Sequence, residues 1–183
     1  MTTSPLQTAT LAGGCFWCTE AIFQRFKGVK SVMPGYTGGD LKDPTYEQVS
    51  NGNTGHAESL QISFDPSVIP YQKLLEIFWH LHDPTTYHRQ GADVGPQYRS
   101  AIFYHTDEQK DQALQSKNEL ERSGYYKHPI VTEIVPFTSF YPAEPYHRNF
   151  YNRNQESPYC QFVIDPKLQK LMKEFKDEVK SSS

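Results

Sequence analysis

The fold class predicted from this sequence is α/β (α+β): a ferredoxin-like two-layer sandwich with a mixed sheet and an extra C-terminal strand and helices. Three observations predict it. Up to His105 the segments read strand, helix, strand, strand, helix, strand, the order of a split βαβ pattern. Leu60, Ile62 and Phe64 alternate with Gln61 and Ser63 at a strand's period of two, whereas Leu74, Leu75, Phe78 and Leu81 recur at a helix's period. The 183 residues are 37% apolar and 14% aromatic, enough to bury a core without disulfide staples.

Residues 7–12 (QTATLA) read as a short strand that Gly13-Gly14 breaks. Phe16 to Phe26 reads as a helix closed by Gly28, and Val29–Met33 as a second strand turning at Pro34-Gly35. A polar loop over roughly 37–56 holds one helical turn at Thr45–Val49. Asp65-Pro66 ends the strand at 57–64, and Pro70 suits the first turn of a helix through Leu81. A second polar loop runs from Asp83 to Gln97, then a strand from Ser100 to His105. Thr106 with Gln109 makes a capping box for a helix ending near Gly124. Ile130–Phe137 reads as the extra strand, and Leu168, Leu171, Met172, Phe175 and Val179 as the apolar stripe of a final helix. No linker or repeat divides the chain, so residues 1–183 are expected to form one domain. Loops as long as the two between core elements usually carry function.

Eighteen basic against 21 acidic residues give a formal charge of −3, without the basic excess of a nucleic-acid binder. No apolar run suits a membrane span, and none precedes Arg25 as a signal peptide would, so a cytoplasmic protein is expected. Three cysteines are too few for a disulfide framework and turn attention to thiol chemistry.

Gly14-Cys15-Phe16-Trp17-Cys18 lies where a strand becomes a helix. A thiol there faces unsatisfied N–H groups and the positive end of the helix dipole, which predicts a Cys15 pKa below the usual ~8.5. Cys-x-x-Cys also places two sulfurs on neighbouring positions of the first turn. Zinc is a poor fit: Cys160 is the only further cysteine, and no second paired motif supplies ligands. His80 and His82, at the end of a helix, read as structural or solvated.

Gly14-Cys15-Phe16-Trp17, Gly35-Tyr36-Thr37-Gly38-Gly39, Pro44-Thr45-Tyr46, Thr54-Gly55-His56-Ala57-Glu58, Asp83-Pro84-Thr85, Gln90-Gly91-Ala92-Asp93 and Gln97-Tyr98-Arg99-Ser100 occur in that order. Together they resemble the peptide methionine sulfoxide reductase A family, over about residues 9–165. The resemblance implies reduction of methionine S-sulfoxide, free or in proteins, with Cys15 as nucleophile and Glu58 as acid. It implies a substrate site of Phe16, Trp17, Tyr46, Asp93 and Tyr98, and no cofactor or metal. It also implies that Cys160, in Ser157-Pro158-Tyr159-Cys160, resolves a Cys15 sulfenic acid, that Cys15–Cys160 is the first disulfide, and that a thioredoxin-like protein reduces it. Neither nucleic acid nor membrane is an expected partner.

The residue types suit that chemistry. A sulfoxide needs a soft nucleophile at sulfur and a proton at oxygen. Phe16 and Trp17 supply an apolar wall for an S-methyl group. Tyr46 and Tyr98 carry phenol donors, and Asp93 can orient a tyrosine or a water. A carboxyl at Glu58 keeps its proton at neutral pH only when desolvated. Three features depart from the family pattern: the chain lacks a Gly-rich C-terminal tail with a further cysteine, Cys18 stands where many relatives have glycine, and Pro96 stands where threonine is expected. The role of Cys18 is left open. Two other readings compete. A general thiol–disulfide oxidoreductase explains Cys15 and Cys18 but leaves Glu58, Cys160 and both loops without work, and a metal- or peptide-binding module would use the seven histidines and the aromatics.

Overall fold

The structure is a computed structural model that describes residues 5–181. Its elements run β1 (Gln7–Gly13), α1 (Phe16–Phe23), β2 (Val29–Thr37), α2 (Tyr46–Ser50), β3 (Ala57–Phe64), α3 (Tyr71–Leu81), β4 (Arg89–Gln90), β5 (Asp93–Val94), β6 (Ser100–Tyr104) and α4 (Asp107–Ser123). They continue with β7 (Glu133–Pro136), β8 (Phe140–Pro142), α5 (Phe150–Arg153) and α6 (Asp165–Glu174), with a π-helical turn at Cys160–Ile164 before α6. The main sheet has the order β7-β6-β1-β3-β2-β8. The four central strands β6-β1-β3-β2 are antiparallel neighbours, as two interleaved split βαβ units require. β7 adds parallel to β6 and β8 antiparallel to β2, so the sheet is mixed as predicted.

Side-chain alternation sets the two faces. Ala9, Leu11, Leu60, Ile62, Phe64 and Ile102 point to the face covered by α1 and α3, where they share one core with Ile22, Phe23, Leu74 and Phe78. Ala12, Ala57, Ala101 and Phe103 make a smaller cluster on the opposite face. Glu58 has the parity of Leu60 and Ile62, so this carboxyl is turned toward the helix-covered face and is 1% exposed. α1 is buried on nearly every side, with Phe16, Cys18, Thr19, Glu20, Ala21, Ile22 and Phe23 all inside. A helix apolar all round needs cover beyond one sheet, and α5 and α6 provide it.

Several boundaries differ from the sequence reading. The turn predicted at Pro34-Gly35 is instead the middle of β2, where Pro34 pairs with Leu60 and Gly35 with both Ser59 and Pro142. The Pro34 carbonyl accepts from Ala143 N (2.8 Å), and Gly35 lets the Phe140 ring and the Tyr141 carbonyl approach where a Cβ would collide. β8, which no sequence signal announced, forms there. The first helix stops at Phe23. The final helix covers Asp165–Glu174, and beyond it Val179 bridges to Phe26. The loop over 83–97 folds into the β4–β5 hairpin and a 3₁₀ turn at Pro96–Tyr98. Among the described residues no helix is long and apolar enough to cross a membrane.

Candidate active site

The site is built at the junction of β1 and α1. Gly14 has φ +95°, and a Cβ there would lie 2.8 Å from Gln90 Cγ, so only glycine makes this turn. The turn delivers Cys15 to the N-cap position of α1, followed by Phe16 and Trp17 in its first turn. Glu58 enters from the adjoining strand β3, opposite Tyr36 of β2. Its Oε1 accepts from Phe16 N at 3.2 Å, which binds the carboxyl to the same helix terminus that carries Cys15.

Burial pushes the Glu58 carboxyl up to about 8; the bond from Phe16 N opposes this, and the charges of Asp93 and Cys18 add to it. Glu58 is therefore a neutral acid at pH 7. Its carbonyl oxygen can accept from Phe16 while its O–H stays available to a second acceptor.

Cys15 is 8% exposed. Burial pushes its thiol well above the ordinary value, and the adjacent Cys18 thiol and the Glu58 charge push the same way. The lowering predicted from the helix terminus is not found. The reason is local: the residue caps the helix with its backbone, its side chain accepts no N–H from the first turn, and little water reaches the sulfur. Cys18 moves the other way, lowered by the Cys15 thiol beside it against the effect of burial, with the Lys167 charge assisting.

Aromatic side chains wall the space around these groups. The Trp17 indole stacks on Phe150 with centroids 3.7 Å apart and planes 7° from parallel. Its Nε1 donates to His147 Nδ1 at 3.1 Å, so the neutral imidazole carries its proton on Nε2. Burial holds His147 below the usual imidazole range. The His147 ring lies 4.5 Å from the Tyr46 ring and 5.1 Å from Phe16. Tyr46 opens α2, and its backbone N–H donates to Glu144 Oε2 at 2.9 Å, while Tyr36 OH donates to Glu144 Oε1 at 2.8 Å. Burial, with the nearby Glu58 and Cys15 charges behind it, pushes the Tyr46 phenol up to about 12 and raises Tyr98 as well. Both phenols therefore remain donors.

Asp93, in the β4–β5 hairpin, accepts from Tyr159 OH at 3.0 Å, and the same hydroxyl lies 3.8 Å from Cys18 Sγ. The Tyr159 ring meets Trp17 edge-on at 5.6 Å. Cys160 follows directly, but on no exposed loop: it is fully buried at the start of the π-helical turn. All three cysteines are free thiols.

The fold thus gathers Cys15, Phe16, Trp17, Tyr46, Glu58, Asp93 and Tyr98 around one helix terminus, with Cys160 one residue beyond a tyrosine of that site. Sequence reasoning missed Tyr36, Glu144, His147, Phe150 and Tyr159. Tyr159 was within reach, since it adjoins Cys160 in a segment already singled out. Glu144, His147 and Phe150 lie in a stretch with no periodicity and gave no signal. Among the described residues no group of three or more His, Cys, Asp or Glu is placed to hold a metal ion.

Comparison with known proteins matches this geometry. The sequence model described as "Peptide methionine sulfoxide reductase" matches residues 7–179. A peptide methionine sulfoxide reductase MsrA from Sulfolobus acidocaldarius is 58% identical over 173 residues, covering 94% of this chain and 97% of the relative. The crystal structure of reduced Mxr1 from Saccharomyces cerevisiae superposes with a TM-score of 0.80 at 34% identity, covering 85% of this chain and 90% of that one. Mxr1 in complex with Trx2 gives a TM-score of 0.57 at 28% identity, covering 77% of this chain and 84% of that one. With a thiol, a buried carboxyl and an aromatic wall at one helix terminus, and a family match across nearly its whole length, the chain belongs to the peptide methionine sulfoxide reductase family.

Proposed function

We propose that this chain reduces methionine S-sulfoxide, free or in proteins, to methionine by thiol chemistry, and that residues 1–183 work as one catalytic domain. The observation that carries the reading is Glu58: a carboxyl that keeps its proton to about pH 8, bound to the backbone of the residue after Cys15. An acid and a soft nucleophile at one buried point suit a substrate with partial negative charge on oxygen and partial positive charge on sulfur.

The S-methyl group rests against Phe16 and Trp17. The sulfoxide oxygen accepts from Glu58 and from the Tyr46 and Tyr98 hydroxyls. Asp93 orients its part of the wall by holding Tyr159. The Cys15 sulfur donates an electron pair to the substrate sulfur as Glu58 delivers a proton to the oxygen. The oxygen ends on Cys15, so that thiol and sulfoxide become sulfenic acid and methionine, and the thiol's own proton restores Glu58. No external cofactor enters this balance. A second thiol then condenses with the sulfenic acid, releasing water and leaving a disulfide. Cys160 takes part in this recycling, and a thioredoxin-like reductant restores the thiols, in keeping with the complex of Mxr1 with Trx2. Neither nucleic acid nor membrane is a partner in this reading, and its setting is the cytoplasm.

The test is a single-turnover assay on separated S and R epimers of methionine sulfoxide, then turnover with dithiothreitol. Methionine should form from the S epimer alone. Cys15→Ser should release none, because an alcohol is a poor nucleophile toward sulfur. Methionine released by that variant, or equal rates on both epimers, contradicts the reading.

A further inference from the structure

We propose that Cys18 is the first thiol to condense with the Cys15 sulfenic acid, with Cys160 entering only by later exchange. The proposal rests on Cys15 being the nucleophile, as argued above.

The geometry favours Cys18. Its backbone N–H donates to the Cys15 carbonyl at 3.1 Å, closing the turn that sets the two residues side by side. Residues three apart on a helix stand about 5–6 Å apart at Cβ. A disulfide requires Cβ atoms ~3.5–4.5 Å apart. The remaining ångström or two is available because Cys15 occupies the N-cap with non-helical backbone (φ −59°, ψ 127°) and its side chain makes no capping hydrogen bond. Cys15 can turn toward Cys18 without breaking a helical hydrogen bond of its own side chain.

Cys160 is placed differently. It shares one core cluster with Cys15 and Cys18, but it sits in a π-helical turn about 140 residues farther along the chain and not on the turn that Cys15 caps. Cys18, Glu58 and Tyr159 act directly on the Cys15 thiol. The residue before Cys160 is pinned, since the Tyr159 hydroxyl is held by Asp93 and its ring by Trp17. For Cys160 to advance, that latch must open.

The chemistry agrees. The Cys15 sulfur beside it lowers the pKa of the Cys18 thiol against burial, and the Lys167 charge and the Tyr159 hydroxyl, which stay in place once Cys15 is oxidised, act the same way. A thiolate whose pKa approaches ambient pH attacks fastest. Its electron pair forms the S–S bond with Cys15 as the S–O bond of the sulfenic acid breaks. The departing hydroxide leaves as water with the proton that Cys18 gave up. One sulfur is reduced and the other oxidised, so no further reductant is needed. The Tyr159 hydroxyl, 3.8 Å from Cys18 Sγ, is placed to relay that proton.

The test is rapid quench after one equivalent of methionine S-sulfoxide, with alkylation, dimedone trapping and peptide mapping by mass spectrometry. It is run on the full chain and on Cys18→Ser, Cys18→Ala and Cys160→Ser, with released methionine counted in parallel. In the native chain the Cys15–Cys18 disulfide should precede any bond to Cys160, and it should still close in Cys160→Ser. In both Cys18 variants the dimedone-reactive sulfenic acid should persist at least ten times longer, while about one methionine per chain is still released. A native time course in which Cys15–Cys160 appears first, or sulfenic acid that accumulates in Cys160→Ser, overturns the proposal. The native time course needs no variant to fold. The methionine count separates this failure from failure of the reading beneath it, because Cys15→Ser that still releases methionine removes the nucleophile itself.

Discussion

The βαββαβ frame and the C-terminal arm that follows it hold two carboxylates beside the same aromatic wall, in opposite states. Glu58, on a central strand of the frame, has one backbone donor and is almost fully buried, and burial pushes it up to about 8. Glu144, on the arm, is partly buried as well, but bonds from Tyr46 N and the Tyr36 hydroxyl outweigh burial and hold it below the ordinary range. The frame keeps a proton ready for chemistry. The arm keeps a permanent anion that ties α2 and β2 together. Depth keeps the proton on Glu58, and at the shallower Glu144 the donors outweigh a smaller burial.

Glu58→Gln breaks the comparison most severely. It keeps the shape and removes the proton, so methionine formation in a single turnover should fall by ~10²–10⁴. A pH profile sharpens the point. The first step requires protonated Glu58 and ionised Cys15, whose pKa lies higher. The slope of log rate against pH should therefore drop by one unit near pH 8 in the native chain, and that break should vanish in Glu58→Gln.

Stability should register the same buried group and a buried base. The unfolded chain loses the Glu58 proton above pH 4.5, whereas the folded chain keeps it to about 8, so stability falls as pH rises between them. His82 works at the acid side. Burial lowers its pKa from 6.5 to about 4, while its ring nitrogens are bonded to the Phe78 carbonyl and Ser100 Oγ. The unfolded chain takes up this proton first, so the His82 contribution to stability should fall by ~3 kcal/mol as pH drops from 6.5 to 4. Between pH 4.5 and 6.5 the two contributions oppose each other, so urea unfolding across pH should show little net change there and a fall from 6.5 to 8, and Glu58→Gln should flatten that fall and unmask the His82 slope below 6.5.

The smallest expected effect concerns how the arm is docked. Burial raises Glu20, and its carboxylate accepts from Asn149 N at 3.0 Å and from the Phe150 backbone. It thereby fixes the segment that carries Phe150 to Trp17 and His147 to Trp17 Nε1. Glu20→Ala takes the partner from the partly buried Asn149 and Phe150 N–H groups, at a cost of about 1 kcal/mol. KM for methionine sulfoxide should rise, with a smaller change in the rate of the bound complex, and the pH break near 8 should remain. Loss of that break would tie Glu20 to the acid rather than to the wall.

Local pattern was sufficient for the frame. Gly13-Gly14 before Cys15, the alternation at 57–64 and the stripe at 71–81 each act through near neighbours, and the strand order β6-β1-β3-β2 follows from their succession. The parity of Leu60 and Ile62 even carried the information that Glu58 faces inward. Tertiary structure alone decided what depends on residues far apart in the chain. β8 forms because Pro34 and Gly35 of β2 expose a carbonyl and a gap to Ala143 and Phe140, more than a hundred residues away. The opposite shifts of Cys15 and Cys18 come from the contact between the two thiols, which the Cys-x-x-Cys spacing encodes, together with burial, Glu58 and Lys167, which it does not. His147, Phe150 and Tyr159 all meet Trp17, because one aromatic ring can collect partners from anywhere in a chain that the fold brings past it.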